Sequence, residues 1–311
     1  MKKFPKVTIV LGSYKDEKAI GDTLKHMATE LKYPNLEIFV AVDTHEDHTI
    51  DVVRKMAKRY KKIRVDFSET RRGVTKALAS ALKKATGEII LHSASDYRYR
   101  NPSKVLFNLV KYYEDPSVGG VIVSSQDPPF LDEQRKGNIN EYSQIAMYRL
   151  VRDWKNQFKV IQGKPKFPVI CHSFRRKLID NIDVNSINDD AEFAFSVLDK
   201  GYKIVTSNNV KFYSMIETTT PKAILLRQSR TTAGWFKISK KRDINLFRYY
   251  FSVYWYFLTH FYRYSIYEII SINYAILMFL VSMFSAYKKQ KQPPTKAWQV
   301  YDRKIKHEST S

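Results

Sequence analysis

Val7-Thr-Ile-Val-Leu-Gly-Ser-Tyr-Lys-Asp-Glu-Lys-Ala-Ile20 decides the fold class of this chain. Its first half, Val7 to Leu11, is rich in β-branched residues and reads as a buried strand. A helical pattern follows, from about Glu17 to Leu31. The alternation then repeats. Leu36 to Val42 is a second apolar strand and Thr49 to Tyr60 a helix. Ile63 to Phe67 is a short strand, and Lys76 to Ala85 a helix that Gly87 is expected to close. The strand Glu88 to His92, the helix Pro102 to Tyr113 and the strand Gly120 to Ser124 come next. Strands alternating with helices imply an α/β fold, a mostly parallel sheet with helices on both faces. Such sheets bind ligands beyond the carboxyl ends of their strands, so the loops after the strands are where chemistry is expected.

From Gln126 to Pro168 the regularity lapses. Asp127-Pro-Pro-Phe reads as a loop, Asn140 to Phe158 as an amphipathic helix, and Gly163-Lys-Pro-Lys-Phe-Pro as another loop. An irregular insert of this kind either builds a second substrate pocket or is a plain surface excursion. A second α/β stretch runs from Val169 to about Tyr213.

The bulk numbers narrow the partners. With 44% hydrophobic and 27% charged residues, the 311-residue chain is not mainly disordered. Fifty-three Lys and Arg against 31 Asp and Glu give a formal net charge of +22, which favours anionic lipids, nucleotide phosphates, lipid-linked phosphates or nucleic acid. The single Cys171 excludes an intramolecular disulfide framework and a Cys-rich zinc site; it is expected to be a small buried residue in a reducing compartment. Met1-Lys-Lys-Phe-Pro-Lys6 is basic, but the apolar run after it is too short for a signal peptide, so the bulk is expected to be cytoplasmic.

The strand-end segments carry the motifs. The first strand leads into Ser13, Tyr14, Lys15 and Asp16, where a tyrosine can stack on a nucleobase or simply edge the core, and a carboxylate can accept from base or ribose. The second ends in Val42-Asp-Thr-His-Glu-Asp-His-Thr49, with Asp43 at the strand end and Asp47 or Thr49 placed to cap the next helix. Arg71-Arg-Gly-Val-Thr-Lys-Ala-Leu78 precedes Ala85-Thr-Gly-Glu-Ile-Ile90, and Ser93-Ala-Ser-Asp-Tyr97 follows the fourth strand. Asn188-Asp-Asp-Ala-Glu-Phe193 opens a helix, whose dipole such a carboxylate cluster would also stabilise. Arg227-Gln-Ser-Arg-Thr-Thr-Ala-Gly234 comes last.

In this order, over residues 7 to 234, these segments resemble the inverting family 2 glycosyltransferases of the GT-A fold. The family's first strand ends in Pro-Thr-Tyr-Asn-Glu: Ser13 and Tyr14 stand at Thr-Tyr and Asp16 at the acidic place, while Gly12 replaces the Pro and Lys15 the Asn. Asp43, Asp47 and Thr49 match an Asp followed by Ser-x-Asp-x-Thr, in a loop one residue shorter. The arginine segment is similar to the family's Gly-x-x-x-Ala-x-Asn-x-Gly helix and the Gly-Glu strand behind it, although a helix with a solvated basic face explains the same residues. Asp96 falls on the last carboxylate of Asp-x-Asp and Ala94 on the first; Asp189 and Asp190 stand at the Glu-Asp motif. Arg230 and Gly234 match a Gln-x-x-Arg-Trp segment in which Arg227 replaces Gln and Thr231 replaces Trp, and these replacements argue against processive polymer synthesis.

The resemblance implies a GT-A nucleotide-diphospho-sugar transferase. Its donor site would comprise Ser13, Tyr14, Asp16, Asp43, Arg72, Asp96, Arg227 and Arg230. Asp96 would also hold a divalent cation, Mg²⁺ or Mn²⁺, because sugar transfer leaves a diphosphate whose charge a hard cation stabilises. Asp190 would be the general base of a single displacement, taking the acceptor's proton opposite the leaving group.

Tyr264 to Tyr287 is a run of 24 residues with no Lys or Arg and only Glu268 charged. As a helix it would extend roughly 36 Å, enough to cross a hydrocarbon core of about 30 Å. Asp243 to Tyr262, before it, is strongly aromatic. Lys237-Ile-Ser-Lys-Lys-Arg242 and Lys288-Lys-Gln-Lys291 flank the pair, so both ends are expected on the cytoplasmic side of a helical hairpin turning near Arg263. The other arrangements have the first segment flat and the second re-entrant or spanning, or the run buried as a helix of a soluble domain. The expected organisation is a catalytic domain over 1–240 with an acceptor-side insert at 126–168, membrane-associated helices over 241–288, and a basic polar tail over 289–311. The expected location is the membrane, catalytic domain facing the cytoplasm, with a lipid phosphate or lipid-linked glycan as acceptor. Truncation after Lys240 is expected to leave a soluble fragment that binds nucleotide.

Two other readings compete. A nucleic-acid-binding protein would explain the charge, but no motif for it occurs and the basic residues form no single stripe, so no nucleic acid is expected. An inactive GT-A scaffold would explain Ala94 and the altered Gln-x-x-Arg-Trp. His45, His48 and His92 are expected to be solvent-facing loop residues rather than metal ligands.

Overall fold

The computed structural model describes residues 4–43, 46–125, 139–180, 182–214, 216–217, 220–289, 291 and 304–305. In chain order the elements are β1 (Val7–Ser13), α1 (Glu17–Thr29), β2 (Leu36–Asp43), α2 (Thr49–Arg59), β3 (Ile63–Ser68), α3 (Val74–Lys84), β4 (Ile89–Ser93), β5 (Tyr97–Tyr99), α4 (Pro102–Lys111), β6 (Val118–Ser125), α5 (Ile139–Lys155), β7 (Val160–Ile161), β8 (Ser173–Arg175), α6 (Asp189–Asp199), β9 (Lys203–Ser214), β10 (Ile216–Glu217), α7 (Pro221–Arg242), α8 (Leu246–Thr259), α9 (Ile266–Lys289) and β11 (Lys304–Ile305). They fall into two compact units, residues 1–124, 160–164 and 169–214, and residues 125–159, 165–168 and 215–311.

In the first unit β1 and β2 are buried along almost their whole length, as strands covered on both faces must be, and this is why they read as unbroken apolar runs. The sheet order is β3-β2-β1-β4-β8-β6-β9-β5, with β7 on β9. From β3 to β4 the pairing is parallel, with Ser13 beside Val42, Asp43 beside Ser68, and Leu11 beside Ser93. The carboxyl ends of these four strands therefore share one edge. Beyond β4 the pairing turns antiparallel, through β8 between β4 and β6 and through β5 and β7 on β9. The sheet is mixed. Its parallel half follows the alternating sequence, whereas β5, β7 and β8, two or three residues each, are too short to show a period. Ile9, Leu11, Leu24, Ile38, Val40 and Leu109 are among the side chains that fill the core.

Gly87 plays a different part from the left-handed cap expected of it. The residue after α3, Ala85, is extended, and Gly87 is absent from the positive-φ positions. A Cβ there would lie 2.5 Å from Thr8 Oγ1, the acceptor of the Gly87 N–H at 2.9 Å. Close approach to β1, not turn geometry, requires the glycine.

The second unit is mainly helical. Thr220 caps α7, its hydroxyl accepting the Ala223 N–H at 3.2 Å, with Pro221 in the first turn. Asn245 caps α8 through the Arg248 N–H at 2.9 Å. At the start of α9, Glu268 accepts the Ser265 N–H at 2.8 Å and Ser265 Oγ accepts the Glu268 N–H at 3.3 Å, a reciprocal capping box. The single charge in the apolar run is thus a helix cap, and it also pairs with Arg149 of α5. Ala146, Leu150 and Trp154 of α5 share one core with Tyr249, Val253, Tyr256 and Phe257 of α8 and Ile272 of α9. The 14 residues of α8 extend only about 21 Å. Among the described residues α9 is the one helix long and apolar enough to cross a membrane.

Candidate active site

β1 passes to α1 through Ser13-Tyr-Lys-Asp16, and the turn needs a residue in the left-handed region. Lys15 occupies it at φ +55°, a conformation that costs a non-glycine residue about 1 kcal/mol. Asp16 holds the turn. Its Oδ2 accepts from Ser13 Oγ and from the Tyr14 N–H, both at 3.1 Å, and its own N–H donates to Thr49 Oγ1 at 2.8 Å. Thr49 Oγ1 in turn donates to Asp47 Oδ2 at 2.7 Å, so Asp47 and Thr49 tie down the entry to α2. The Tyr14 hydroxyl donates to the Glu46 carboxylate at 3.1 Å, and the Arg71 guanidinium lies 4.2 Å from its ring centre. Burial raises the Tyr14 pKa, with Arg71 opposing and Glu46 reinforcing the shift.

Asp43 faces the loop that follows β3. Its Oδ1 accepts Arg72 Nε at 2.8 Å, and its Oδ2 accepts the backbone N–H groups of Arg72 at 2.8 Å and Gly73 at 3.1 Å. Gly73 stands at φ +87°, where a glycine is required. Arg72 Nη1 continues to Asp66 at 2.9 Å, and Lys84 pairs with the same carboxylate. Burial works against the Arg72 charge, but Asp43 and Asp66 outweigh it and raise its pKa. Arg72 Nη2 is buried and has no hydrogen-bond partner among the described residues. A buried guanidinium nitrogen left this way is a standing demand for an acceptor.

Asp96 lies just past β4. Ser214, at the end of β9, donates to its Oδ2, and the β5–β9 register sets Tyr97 beside Ser214. The Thr23 hydroxyl of α1 donates to the Ser95 carbonyl at 2.6 Å, so the loop is held from two sides. Among the described residues no group of three or more His, Cys, Asp and Glu side chains can hold a metal. Asp96 supplies one carboxylate, which suffices for a hard divalent ion that takes its remaining ligands from substrate phosphates and water. The residues fit a cation that arrives with a diphosphate, not a free-standing metal centre.

Asp189 and Asp190 open α6 and differ in environment. Asp189 is buried, with Oδ2 3.1 Å from His92 Nε2 on β4. Asp190 is less buried; its backbone carbonyl accepts the Cys171 N–H at 3.0 Å and its Oδ1 the Ala191 N–H at 2.9 Å. Burial lowers the His92 pKa to about 4, against the raising effect of Asp190. At neutral pH His92 is therefore an uncharged imidazole, and placing its proton on Nε2 makes it the donor to Asp189.

His92 is accordingly not the solvent-facing loop residue expected. It belongs to β4 and packs against Phe193, with ring centres 5.4 Å apart. His48 is exposed, and His45 lies outside the described residues. Cys171 is free and buried, its thiol pushed up to about 12 chiefly by burial. The structure brings Ser13, Tyr14, Asp16, Asp43, Arg72, Asp96 and Asp190 into the first unit, whereas Arg227 and Arg230 lie on α7 in the second. The Arg227 guanidinium sits 5.2 Å from the Tyr148 ring centre. Arg71, Glu46, His92 and Ser214 were not read as site residues; Arg71 and Glu46 lie inside motif segments and His92 directly precedes one, whereas nothing in the sequence marked Ser214.

Residues 8–182 match the family model described as Glycosyl transferase family 2, and the chain belongs to that family. A probable glycosyltransferase of Bacillus subtilis (strain 168), YdaM, is 24% identical over 293 residues, covering 84% of this chain and 64% of that protein. A beta-monoglucosyldiacylglycerol synthase of a Nostoc species is 25% identical over 205 residues, covering 63% of this chain and 42% of that protein. The chain thus spans less than two thirds of the length of either relative. The mannosyltransferase PcManGT from Pyrobaculum calidifontis, solved with GDP-Man and Mn²⁺, superposes with a TM-score of 0.60 at 19% identity, covering 95% of this chain and 79% of that one. The fold is GT-A.

Proposed function

We propose that the chain transfers a sugar from a nucleotide-diphosphate donor to a membrane acceptor by a single inverting displacement. The nucleoside is assigned to the edge formed by the ends of β1, β2 and β3. There Tyr14, braced by Arg71 and Glu46, offers a flat wall, and Arg72 Nη2 offers an unused donor for a base carbonyl or phosphate oxygen. Asp43 holds Arg72 in place, while Ser13 and Asp16 fix the turn that presents Tyr14. Asp96 would hold the cation, Mg²⁺ or Mn²⁺, which when bound neutralises charge on the leaving diphosphate. Arg227 and Arg230, on α7 of the second unit, stay candidate phosphate contacts on family resemblance alone.

Asp190 is the proposed base. One observation carries this assignment: of the two adjacent carboxylates that open α6, Asp190 is the less buried, and it stands at the second acidic place of Asn188-Asp-Asp-Ala-Glu. A membrane acceptor is supported by α9, by the +22 charge and by the relative whose name specifies a glycolipid synthase. The basic flanks of the apolar segment suit the anionic cytoplasmic leaflet and so support a cytoplasmic catalytic face. The test is Asp190→Asn. Transfer is expected to fall about 100-fold or more while donor affinity stays within a small factor, because the base acts on the acceptor. A fall of less than about tenfold, or a collapse of donor affinity, rules the assignment out.

A further inference from the structure

We propose that α8 and α9 seat the chain on one leaflet of an anionic bilayer, lying in its plane, and that α9 does not cross it. The choice of lipid as partner rests on the membrane-acceptor reading. The geometry rests on contacts within the second unit.

α9 has two faces of different chemistry. Glu268, Ser271, Ile272, Ala275, Met278, Ser282, Ala286 and Lys289 are buried, a face that mixes small and polar residues with two large apolar ones. It is pinned at both ends to polar helices. Glu268 pairs with Arg149 of α5, and Lys289 Nζ donates to Ser229 Oγ of α7 at 2.8 Å. About 32 Å of helix separates these two anchors. Between them the Tyr274 hydroxyl donates to Asn140 Oδ1 of α5 at 2.6 Å. A crossing α9 would either carry α5 and α7, with their Arg, Lys and Asp side chains, into hydrocarbon or break the contacts of Glu268, Tyr274 and Lys289 with them. The first is heavily unfavourable, and the second dismantles the packing of the second unit.

The opposite face is apolar and open. Ile266, Ile270, Leu277, Leu280, Val281 and Phe284 are exposed at helical spacing, Phe284 to 83%. On α8 the exposed stripe is Phe247, Phe251, Tyr254, Trp255 and Leu258, with Phe247 at 81%. The inner faces of both helices share the core that holds Ile272 and Val253, so both stripes lie on the outside of one packed unit. Two such stripes far exceed scattered surface hydrophobics. A helix lying in the interface buries its apolar face about 5–10 Å into the leaflet. The exposed Arg248, Arg263, Lys288 and Lys291 flank the stripes and suit anionic headgroups. A second copy of the chain would set this basic rim against itself, so lipid rather than self-association is the occupant.

The test uses the full-length chain added to preformed, sealed vesicles of phosphatidylcholine with or without phosphatidylglycerol. Arg263→Cys and Lys288→Cys, at opposite ends of α9, are probed separately with an impermeant maleimide; the buried Cys171 serves as background. In-plane seating predicts that both label from outside without detergent. It also predicts that the chain floats with the anionic vesicles, and that Phe284→Glu and Trp255→Glu each weaken flotation about tenfold or more while keeping the wild-type fold by circular dichroism. One cysteine protected until detergent is added would overturn the proposal in favour of a span. Failure to float, with Phe284→Glu dissociating a dimer in sedimentation, would overturn it in favour of self-association. A nucleotide-induced rise in melting temperature, measured on the same variants, reports the catalytic reading separately: its loss everywhere defeats the transferase reading and leaves the labelling result standing.

Discussion

Asp189 and His92 meet at 3.1 Å, and that contact joins α6, which carries Asp190, to β4, which leads into Asp96. A residue that only filled space there would matter to stability; one that positions Asp190 matters to turnover as well. His92 also makes a pH prediction. Its pKa falls from 6.5 to about 4 on folding, so between those values the unfolded chain binds a proton that the folded chain refuses. The contribution is fully present above about pH 6.5 and is lost as the pH drops toward about 4, by at most about 3 kcal/mol. His92→Phe should flatten this part of the profile. The expected result is a smaller loss of urea-unfolding midpoint between about pH 7 and about pH 5 than in the parent chain. Identical losses in both would show that His92 is not the titrating group.

At the scale of elements, α8 and α9 are structural members of the second unit as well as an apolar surface. Trp154 packs edge-on to Tyr249 at 5.2 Å and shares a core with Ile272. Truncation after Lys240 removes α8 and α9 and bares Ala146, Leu150 and Trp154. The expected outcome is therefore aggregation or loss of the second unit, contrary to the soluble fragment the sequence suggests. A monodisperse, folded fragment in gel filtration and circular dichroism would refute this. Glu268→Ala removes the α9 cap and its ion pair with Arg149, and should lower stability by about 1–2 kcal/mol, read as a melting shift of a few degrees. An unchanged melting temperature would mean that the capping box carries no stability.

What the sequence could convey at this scale follows from length and period. β1 to β4 and the helices between them were legible because each is long enough to show its pattern. β5, β7 and β8 were not, and with them the antiparallel half of the sheet. The apolar run gave the length of α9 but not its two faces, because Ser and Ala on the packed side pass for membrane residues. Ser13, Tyr14, Asp43 and Asp96 were legible as strand-end positions. The partners of Arg72 were not, since Asp43 and Asp66 converge only when β2 pairs with β3.

For the whole molecule, family membership and fold make the proposed donor site the central claim, and its candidate residues Ser13, Tyr14, Asp16, Asp43, Arg72 and Asp96 lie in the first unit. Asp96 stands alone as a carboxylate where the family resemblance supplies two, so metal should assist only in the presence of a diphosphate. The most direct measurement is the melting temperature of the full-length chain with UDP and with GDP, each with and without Mn²⁺, for the parent chain, Asp96→Ala and Asp190→Asn. At about 100 times its dissociation constant a ligand adds about 2.7 kcal/mol, a rise of roughly 4 °C for a chain of this size. The account predicts that one nucleotide gives such a rise with Mn²⁺, that Asp96→Ala loses its Mn²⁺-dependent part, and that Asp190→Asn retains it. No rise with either nucleotide, or a rise indifferent to both Mn²⁺ and Asp96, would contradict it.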